Sequence, residues 1–296
     1  MITIMNLSII KNSLITNQTL NTQVINNFKK LRLSVFFPPL FLMILIVVVL
    51  IIENDFSVDA YILIQKDLFL YINSILSKLP NLQYNLTQLG DVITFLPFVA
   101  IFMIYAPKLW ESILASLIVS CIFTNVLKRF FAVPRPAAIF DNDIFVITGK
   151  AIISHNSLPS GHSIATFTIL TSVLFAFMPK KLKFKIMWFS IILSIGALIA
   201  FTRVAIGAHY PLDVVIGGII GYISALIGIF FSRKFNLLSW LTNKKYYFIS
   251  MILFSIWAIA LINKIITINL IVFYFSLACL LTTLYVTSII YVKKQY

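Results

Sequence analysis

The stretch LDVVIGGIIGYISALIGIFF, residues 212–231, decides the fold of this chain. Its only charged residue is Asp213, which stands at its start. An α-helix of about 20 mainly apolar residues crosses the hydrocarbon core of a bilayer, so this run predicts a transmembrane helix. Small residues recur along it at 217, 221, 225 and 228, and they predict close packing against neighbouring helices.

The composition extends this prediction to most of the chain. Of the 296 residues, 60% are hydrophobic and 11% are charged, and the mean hydropathy is +1.01. Ordinary soluble domains contain roughly one-quarter charged residues, so the chain is predicted to be a membrane protein. Eight spans are expected, at about 34–52, 91–107, 112–128, 163–178, 186–202, 212–231, 246–263 and 268–292.

These runs predict an all-α fold, a polytopic membrane helix bundle with a single membrane domain. The first 33 residues lack the basic start and short apolar core of a cleaved signal peptide, and we expect 1–33 to be a polar cytoplasmic tail. Six spans within 34–231 form the expected core. The segment 232–296 adds two transmembrane helices of unknown role.

The loop between the first two spans, 53–90, is predicted to hold a further helix. Apolar residues recur through it at helical spacing up to Pro80: Ile64, Leu68, Ile72, Ile75 and Leu79. An amphipathic helix of this kind either lies flat on the membrane surface or covers the outer end of the bundle. The sequence leaves both alternatives open.

The distribution of charge predicts which side of the membrane each loop faces. With both termini in the cytoplasm, the inner segments hold 15 of the 23 Lys and Arg residues. This is the positive-inside pattern, and it explains the net charge of +14 without a nucleic-acid partner. All three histidines and every acidic residue except Glu111 lie on the outer side, so any chemistry is expected there.

The topology brings three polar fragments to that outer side. They are KRFFAVPRP at 128–136, PSGH at 159–162 and TRVAIGAHYPLD at 202–213. The residues in them that could carry chemistry are Lys128, Arg135, Ser160, Gly161, His162, Thr202, Arg203, His209 and Asp213. The first fragment follows the third predicted span, the second precedes the fourth, and the third joins the fifth span to the sixth.

Taken singly, each fragment has a purely structural explanation. Basic residues at span ends commonly extend their charged groups to the interface. Pro211 and Asp213 fit the first turn of a helix, where a carboxylate interacts favourably with the helix dipole. Ser160 and Gly161 fit a loop that ends in a helix cap. For each fragment alone, this explanation is favoured over catalysis.

Together the fragments describe a pocket for a dianion. Arg holds phosphate oxygens in a two-pronged fork, and Lys adds a compact positive charge. The free N–H groups of a helix that begins at 160–162 would complete the cage, and Gly161 lets the backbone approach the oxygens. The connection 203–211 is too short to project far from the bilayer, which favours amphiphilic substrates over soluble sugar phosphates.

The order Lys-x6-Arg-Pro, Pro-Ser-Gly-His and Arg-x5-His-x3-Asp resembles the signature of the type 2 phosphatidic acid phosphatase superfamily. This superfamily includes lipid phosphate phosphatases, bacterial acid phosphatases and vanadium haloperoxidases. The motif match runs from Lys128 to Asp213, and the core 34–231 resembles the integral-membrane lipid phosphate phosphatase branch. Two features depart from the pattern. Thr202 stands where the family usually has Ser, and the last two spans lie outside the usual six.

The resemblance implies a phosphatase mechanism without a metal or other cofactor. In this mechanism His209 attacks phosphorus and becomes a phosphohistidine, while Asp213 orients the imidazole. His162 protonates the departing oxygen and later takes a proton from water. The remaining motif residues are expected to bind the phosphate oxygens: Lys128, Arg135, Ser160, Gly161, Arg203 and, as a hydroxyl donor, Thr202.

The implied function is hydrolysis of a lipid phosphate or diphosphate ester at the outer face of a bacterial cytoplasmic membrane. Candidate substrates are undecaprenyl diphosphate, lipid A phosphates, phosphatidylglycerophosphate and phosphatidic acid. One alternative is a phosphotransferase that passes the phosphoryl group to a second lipid. Another is a non-catalytic protein that binds or transports anionic lipid, although its ionisable groups would then be expected inside the spans. Haloperoxidase activity, which needs vanadate, ranks last, and the oligomeric state is not predicted.

Overall fold

The computed structural model describes residues 19–52, 57–235, 240 and 243–292. Most of these residues are helical and none of them lies in a β-strand, as the apolar runs predicted. The helices are α1 (19–29), α2 (Phe37–Ile52), α3 (Val58–Leu76), α4 (Pro80–Thr87), α5 (Val92–Val99), α6 (Phe102–Tyr105), α7 (Pro107–Phe131), α8 (Pro136–Ile139), α9 (Gly161–Ala176), α10 (Leu182–Ala205), α11 (Pro211–Lys234), α12 (Tyr247–Ile268) and α13 (Ile271–Val292). Short 3-10 turns lie at Leu33–Phe36, Gln88–Gly90 and Lys244–Tyr246.

Six segments among the described residues are long and apolar enough to cross a membrane. They are Leu33–Ile52, Pro107–Ile139, Leu182–Ala205, Pro211–Lys234, Tyr247–Ile268 and Ile271–Val292. The chain is therefore a multi-pass membrane protein with an all-α fold. The helix at the fourth predicted span, α9, is apolar as well, but it has 16 residues and is shorter than the other six.

The predicted span 91–107 is interrupted, and two prolines explain why. The chain forms the short helix α5 and the single turn α6, and Pro107 then starts α7. Pro97, inside α5, has no N–H to donate to the carbonyl of Ile93. Trp257 of α12 donates its indole N–H to that carbonyl instead, at 2.8 Å. A side chain from the C-terminal helices thus satisfies a backbone group that the proline leaves unpaired.

Helix α11 is the centre of the bundle, where it packs against both α7 and α9. Its glycines allow this close approach. A Cβ at Gly217 would lie 2.7 Å from the carbonyl oxygen of Ser160, and one at Gly228 would overlap the backbone of Ser116. The small residues of 212–231 are therefore a packing surface, as predicted.

Helix α3 is the helix predicted in the outer loop, but the apolar stripe is not its buried face. Ile64, Leu68 and Ile75 are between 42% and 51% exposed. The buried face of α3 consists of Tyr61, Ile62, Gln65, Phe69 and Asn73. The helix thus covers the end of the bundle with a partly polar face, as one alternative predicted, and its apolar stripe is exposed. Contact of this stripe with the membrane surface stays a prediction.

Two polar residues on the buried face of α3 form hydrogen bonds with backbone groups at the ends of other helices, which explains their burial. Gln65 Oε1 accepts a hydrogen bond at 2.8 Å from the N–H of Leu212, in the first turn of α11. Asn73 donates at 3.0 and 3.1 Å to the carbonyls of Val204 and Ala205, at the end of α10. First-turn N–H groups and last-turn carbonyls have no partner within their own helix, so side chains must supply one.

Part of the predicted N-terminal tail is folded as α1, at the end of the bundle opposite to α3. Val24 and Phe28 are buried in the core. Asn27 donates to the carbonyls of Ala176 and Met178 at 2.9 and 3.2 Å. Residues 19–29 are therefore an element of the bundle, while residues 1–18 of the expected tail lie outside the described residues.

Candidate active site

The three polar fragments meet at one end of the bundle, where α7 and α10 end and α9 and α11 begin. The N–H of Ser160 donates to the carbonyl of Asp213 at 3.0 Å. Arg135 donates to the carbonyl of Ala208 at 3.0 Å. A Cβ at Gly161 would lie 3.8 Å from Lys128 Nζ. Residues more than eighty positions apart are thus brought into one pocket.

A tight turn places His209 at the start of α11. The N–H groups of Ala208 and His209 both donate to the carbonyl of Arg203, at 2.9 and 3.2 Å. The turn requires a glycine, because Gly207 has a φ of 74° and a Cβ there would lie 2.8 Å from Phe145. As a result, the imidazole of His209 is buried within the pocket.

Asp213 lies beside His209 and is held by three hydrogen-bond donors. Its Oδ2 is 3.4 Å from His209 Nδ1 and accepts hydrogen bonds from Ser157 Oγ at 2.6 Å and from the N–H of Tyr210 at 3.0 Å. Its Oδ1 accepts from the hydroxyl of Tyr61 at 2.8 Å. Because Nδ1 of His209 faces the carboxylate, its Nε2 is the nitrogen available for chemistry.

Sequence reasoning did not find Tyr61 or Ser157 as members of the site. Ser157 Oγ is also 3.3 Å from His209 Nδ1, so it contacts both members of the histidine–aspartate pair. Its position just before the PSGH fragment is the one signal that could have indicated it. Tyr61 is 152 residues from Asp213 and belongs to no motif, so only the packing of α3 reveals its role.

Three cations surround the pocket. Arg135 is 6% exposed and donates through Nε to Asn156 Oδ1 at 3.0 Å. Arg203 is 5% exposed and donates to Thr87 Oγ1 at 3.1 Å, while its buried Nε has no partner among the described residues. Lys128 completes the group at the end of α7.

None of these three cations forms an ion pair within the part of the chain that the structure describes. Burying positive charge without an anion is unfavourable, and a bound dianion would remove this cost. In residues 19–52, 57–235 and 243–292, no three His, Cys, Asp or Glu side chains are grouped as metal ligands would be.

The start of α9 supplies free backbone donors to the same pocket. Ser160 is the N-cap residue, and its Oγ accepts from the N–H and the hydroxyl of Ser163 at 3.4 and 3.0 Å. The hydroxyl hydrogen of Ser160 therefore remains available to a ligand. The N–H groups of Gly161 and His162 precede any acceptor within the helix, so they are available as well.

Thr202 is less well placed than the other predicted ligands. It is buried near the end of α10, and its hydroxyl donates to the carbonyl of Ile199 at 2.5 Å. Its hydrogen is therefore used within its own helix. The expectation that Thr202 donates to a phosphate oxygen stays a prediction.

His162 is covered on one side by a segment that the motifs did not indicate. A Cβ at Gly90 would lie 2.7 Å from His162 Cβ and 2.9 Å from its Cδ2. The backbone of Gly90 therefore packs directly against the side chain of His162. Thr87, in the same segment, is the partner of Arg203. No sequence pattern connects 87–90 with the three fragments.

The electrostatics of the pocket favour a neutral His209. Burial lowers its pKa well below 6.5, and the positive charges of Arg135, Arg203 and Lys128, together with His162, lower it further. The imidazole therefore carries a lone pair at neutral pH. Burial and the charge of Asp213 raise the pKa of Tyr61, so its hydroxyl stays protonated and continues to donate.

The chain was compared with known proteins. Residues 108–237, which include every predicted site residue, match the family model of the PAP2 superfamily. The chain is 28% identical over 158 residues to an undecaprenyl-diphosphatase of Sulfolobus acidocaldarius, and the match covers 52% of this chain and 72% of that relative. A crystal structure of Aquifex aeolicus LpxE is similar with a TM-score of 0.48 and 26% identity, covering 56% of this chain and 94% of that one.

The match of residues 108–237 to the PAP2 superfamily model confirms the resemblance seen in the motifs. Both comparisons support a lipid phosphatase, which is a hydrolase.

Proposed function

We propose that this phosphatase hydrolyses a phosphate or diphosphate ester of a membrane lipid through a phosphohistidine on His209, without a metal. One observation supports this most strongly. A neutral imidazole, held by a buried carboxylate, faces a pocket in which three cations have no ion-pair partner among the described residues. That combination suits a nucleophile that attacks a dianionic phosphoryl group.

In the first step, His209 Nε2 attacks phosphorus, and the nitrogen–phosphorus bond forms as the bond to the departing oxygen breaks. The leaving group is the lipid alcohol in a monophosphate and the lipid monophosphate in a diphosphate. The negative charge of the bound phosphate favours the protonated form of His162, which donates its proton to the departing oxygen. Asp213 stabilises the positive charge that develops on the imidazole. The phosphoryl oxygens are bound by the three cations, the hydroxyl of Ser160 and the N–H groups at the start of α9: Lys128, Arg135, Arg203, Gly161 and His162.

In the second step, water attacks the phosphohistidine. His162, now neutral, accepts a proton from the water as the new phosphorus–oxygen bond forms and the bond to His209 breaks. Inorganic phosphate leaves, and both histidines return to their starting states. Fixed positive charges do the work that a metal ion does in many phosphoryl-transfer enzymes.

We propose a polyprenyl diphosphate such as undecaprenyl diphosphate as the first substrate to test. The relative from Sulfolobus acidocaldarius supports this choice, and the three other lipid classes named above remain candidates. We also propose that the site faces the outer side of a bacterial cytoplasmic membrane. The positive-inside pattern supports that orientation, with both termini in the cytoplasm.

The decisive experiment measures phosphate release from a panel of lipids by the purified protein in nanodiscs, with EDTA present. Undecaprenyl diphosphate, lipid A, phosphatidylglycerophosphate and phosphatidic acid are compared, and mass spectrometry follows any transfer to a second lipid. We expect free phosphate from at least one lipid and an acid-labile label on His209 after quenching with radiolabelled substrate. The control is His209→Ala, which should insert normally and release none. Full activity in that variant would reject the mechanism.

A further inference from the structure

The two C-terminal helices pack against the segment that covers His162. This segment, residues 87–91, connects α4 to α5 and is called the strap here. It contacts the active site twice. Thr87 Oγ1 accepts a hydrogen bond from Arg203, and the backbone of Gly90 lies against the imidazole of His162. Since Gly90 has no side chain, its backbone contacts the ring itself, and a displacement of the strap would change the packing around the imidazole.

The strap is tied to α12 by an ion pair. Lys264 Nζ donates to Asp91 Oδ2, and the ammonium also lies 5.2 Å from the ring centroid of Phe273 in α13. The other carboxylate oxygen of Asp91 accepts from the N–H of Ile93 at 3.2 Å and caps α5. Asp91 therefore connects three elements: the strap, the start of α5 and the C-terminal hairpin formed by α12 and α13.

Further hydrogen bonds join the hairpin to the residues that follow the strap. Trp257 donates to the carbonyl of Ile93 at 2.8 Å, and Ser276 donates to the carbonyl of Thr94 at 2.9 Å. The first of these carbonyls is free because of Pro97. The chain at 91–94 is thus held by both α12 and α13, immediately next to the point where it covers His162.

We propose that the C-terminal hairpin positions His162 for catalysis, with Asp91 and Lys264 as positioning residues. This inference rests on the proposed function, in which His162 transfers protons. The ion pair fixes the strap, and the strap fixes the orientation of the imidazole and of Arg203. The two helices outside the six-span core thus gain a role in the reaction itself.

The test uses variants that remove the ion pair and leave the cap in place. Asp91→Asn retains an acceptor for the N–H of Ile93, because Asn is as good an N-cap as Asp. Lys264→Met retains the length of the side chain without its charge. Each variant should lower kcat for the phosphorylated lipid by about tenfold, because small displacements of catalytic groups are costly. KM should change less than kcat, since Lys128 and Arg135, which do not contact the strap, still bind the phosphate.

Three comparisons separate positioning from a general loss of stability. The double variant should be no worse than either single one, because the two residues act as one unit. Lys264→Arg should retain wild-type kcat, and so should Lys150→Gln, which changes an exposed lysine on the same side. A wild-type kcat in Asp91→Asn, or losses that multiply in the double variant, would overturn the inference.

A second measurement does not depend on turnover. Diethyl pyrocarbonate should modify His162 faster in Lys264→Met than in the wild type, because the released strap exposes the imidazole. Peptide mass spectrometry quantifies this modification, and equal rates would overturn the inference. If the wild type released phosphate from no lipid, the proposed function would fail, while this measurement would still decide whether the hairpin holds the strap over His162.

Discussion

Asp213 shows how the fold controls one residue at the site. Donors from α3, from the chain before α9 and from the start of α11 all bind its carboxylate. Hydrogen bonds to an ionised group are stronger than neutral ones, and here they fix both carboxylate oxygens. The orientation of His209 therefore depends on residues that never contact the phosphate.

Removing one of these donors should impair catalysis without unfolding the protein. We expect Tyr61→Phe and Ser157→Ala each to lower kcat by about tenfold, since a hydrogen bond to a charged group contributes roughly 1.5–3 kcal/mol. Phosphate release from the lipid substrate measures the effect. Tyr71→Phe is the matched control, because Tyr71 lies on the exposed face of the same helix. Wild-type kcat in Tyr61→Phe would show that its hydroxyl is dispensable.

Arg135 cannot be replaced by another cation. Its guanidinium spans Asn156 and the carbonyl of Ala208 in one rigid plane, which a lysine cannot reproduce. We expect Arg135→Lys to reduce kcat/KM by about a hundredfold, the scale of losing one oriented donor to a developing charge. Arg129→Lys, at an exposed position nearby, should have no effect. Equal activity of the two variants would mean that Arg135 merely carries charge.

The acid limb of the pH dependence should follow the state of His209. Protonation would remove its nucleophilic lone pair, and because its pKa is well below 6.5, the acid limb of kcat/KM should lie below that pH. Arg135→Gln removes one of the charges that lower this pKa, so the acid limb should move to higher pH. Initial rates measured across the acid range test both expectations. An acid limb at the same pH in Arg135→Gln and in the wild type would contradict the expected shift.

The residues that we propose to react could be predicted from the sequence, because the chemistry of phosphate requires particular groups at fixed spacings. His162, His209 and the three cations were all predicted, and the fold brings them together. The residues that support them could not be predicted. Tyr61 and Thr87 contact the site through helix packing alone, and any hydroxyl on the right surface would have served equally well.

At the scale of elements, α11 depends on its glycines. A methyl group at Gly228 would overlap the backbone of Ser116, which cannot move without shifting α7. We expect Gly228→Ala to destabilise the bundle by about 1–3 kcal/mol, the usual cost of overpacking. Thermal inactivation in nanodiscs measures this loss. Val126→Ile adds a methyl group at an exposed position of α7 and should have no effect, whereas equal stability of both variants would contradict the packing role.

Hydrophobic periodicity predicted where the helices lie in the sequence better than it predicted which face of each helix is buried. The stripe on α3 correctly indicated a helix, but its apolar side faces outward and its Gln65 and Asn73 face inward. In a membrane protein an apolar side chain is as stable in contact with lipid as in the protein interior, whereas polar groups need hydrogen-bond partners within the protein. The interruption of 91–107 depended on Pro97, and the partner that accommodates it, Trp257, lies in a distant helix.

At the scale of the whole molecule, charge is divided between the two ends. The site end holds the buried cations of the pocket, whereas the other end holds the lysines that flank the start of α10 and the paired Lys108 and Glu111. The membrane potential and the insertion machinery favour such a basic end in the cytoplasm. The proposed orientation follows from this division.

Labelling of single cysteines tests the orientation in intact cells. In a background with Cys121 and Cys279 replaced by alanine, Lys150→Cys should react with a membrane-impermeant maleimide. Lys181→Cys should react only after the membrane is permeabilised. A gel shift of the labelled protein measures both reactions. Labelling of Lys181→Cys but not of Lys150→Cys in intact cells would show that the topology is the reverse of the one proposed.

The outward stripe of α3 has a practical consequence for handling the enzyme. The helix that exposes Ile64 and Leu68 also supplies the hydroxyl that fixes Asp213. We expect a detergent that detaches α3 from the bundle to break the hydrogen bond to Asp213 and abolish phosphate release. Circular dichroism should still show an unchanged helical content. If activity returned on reconstitution into lipid, the bilayer would be required to hold α3 in the position that catalysis needs.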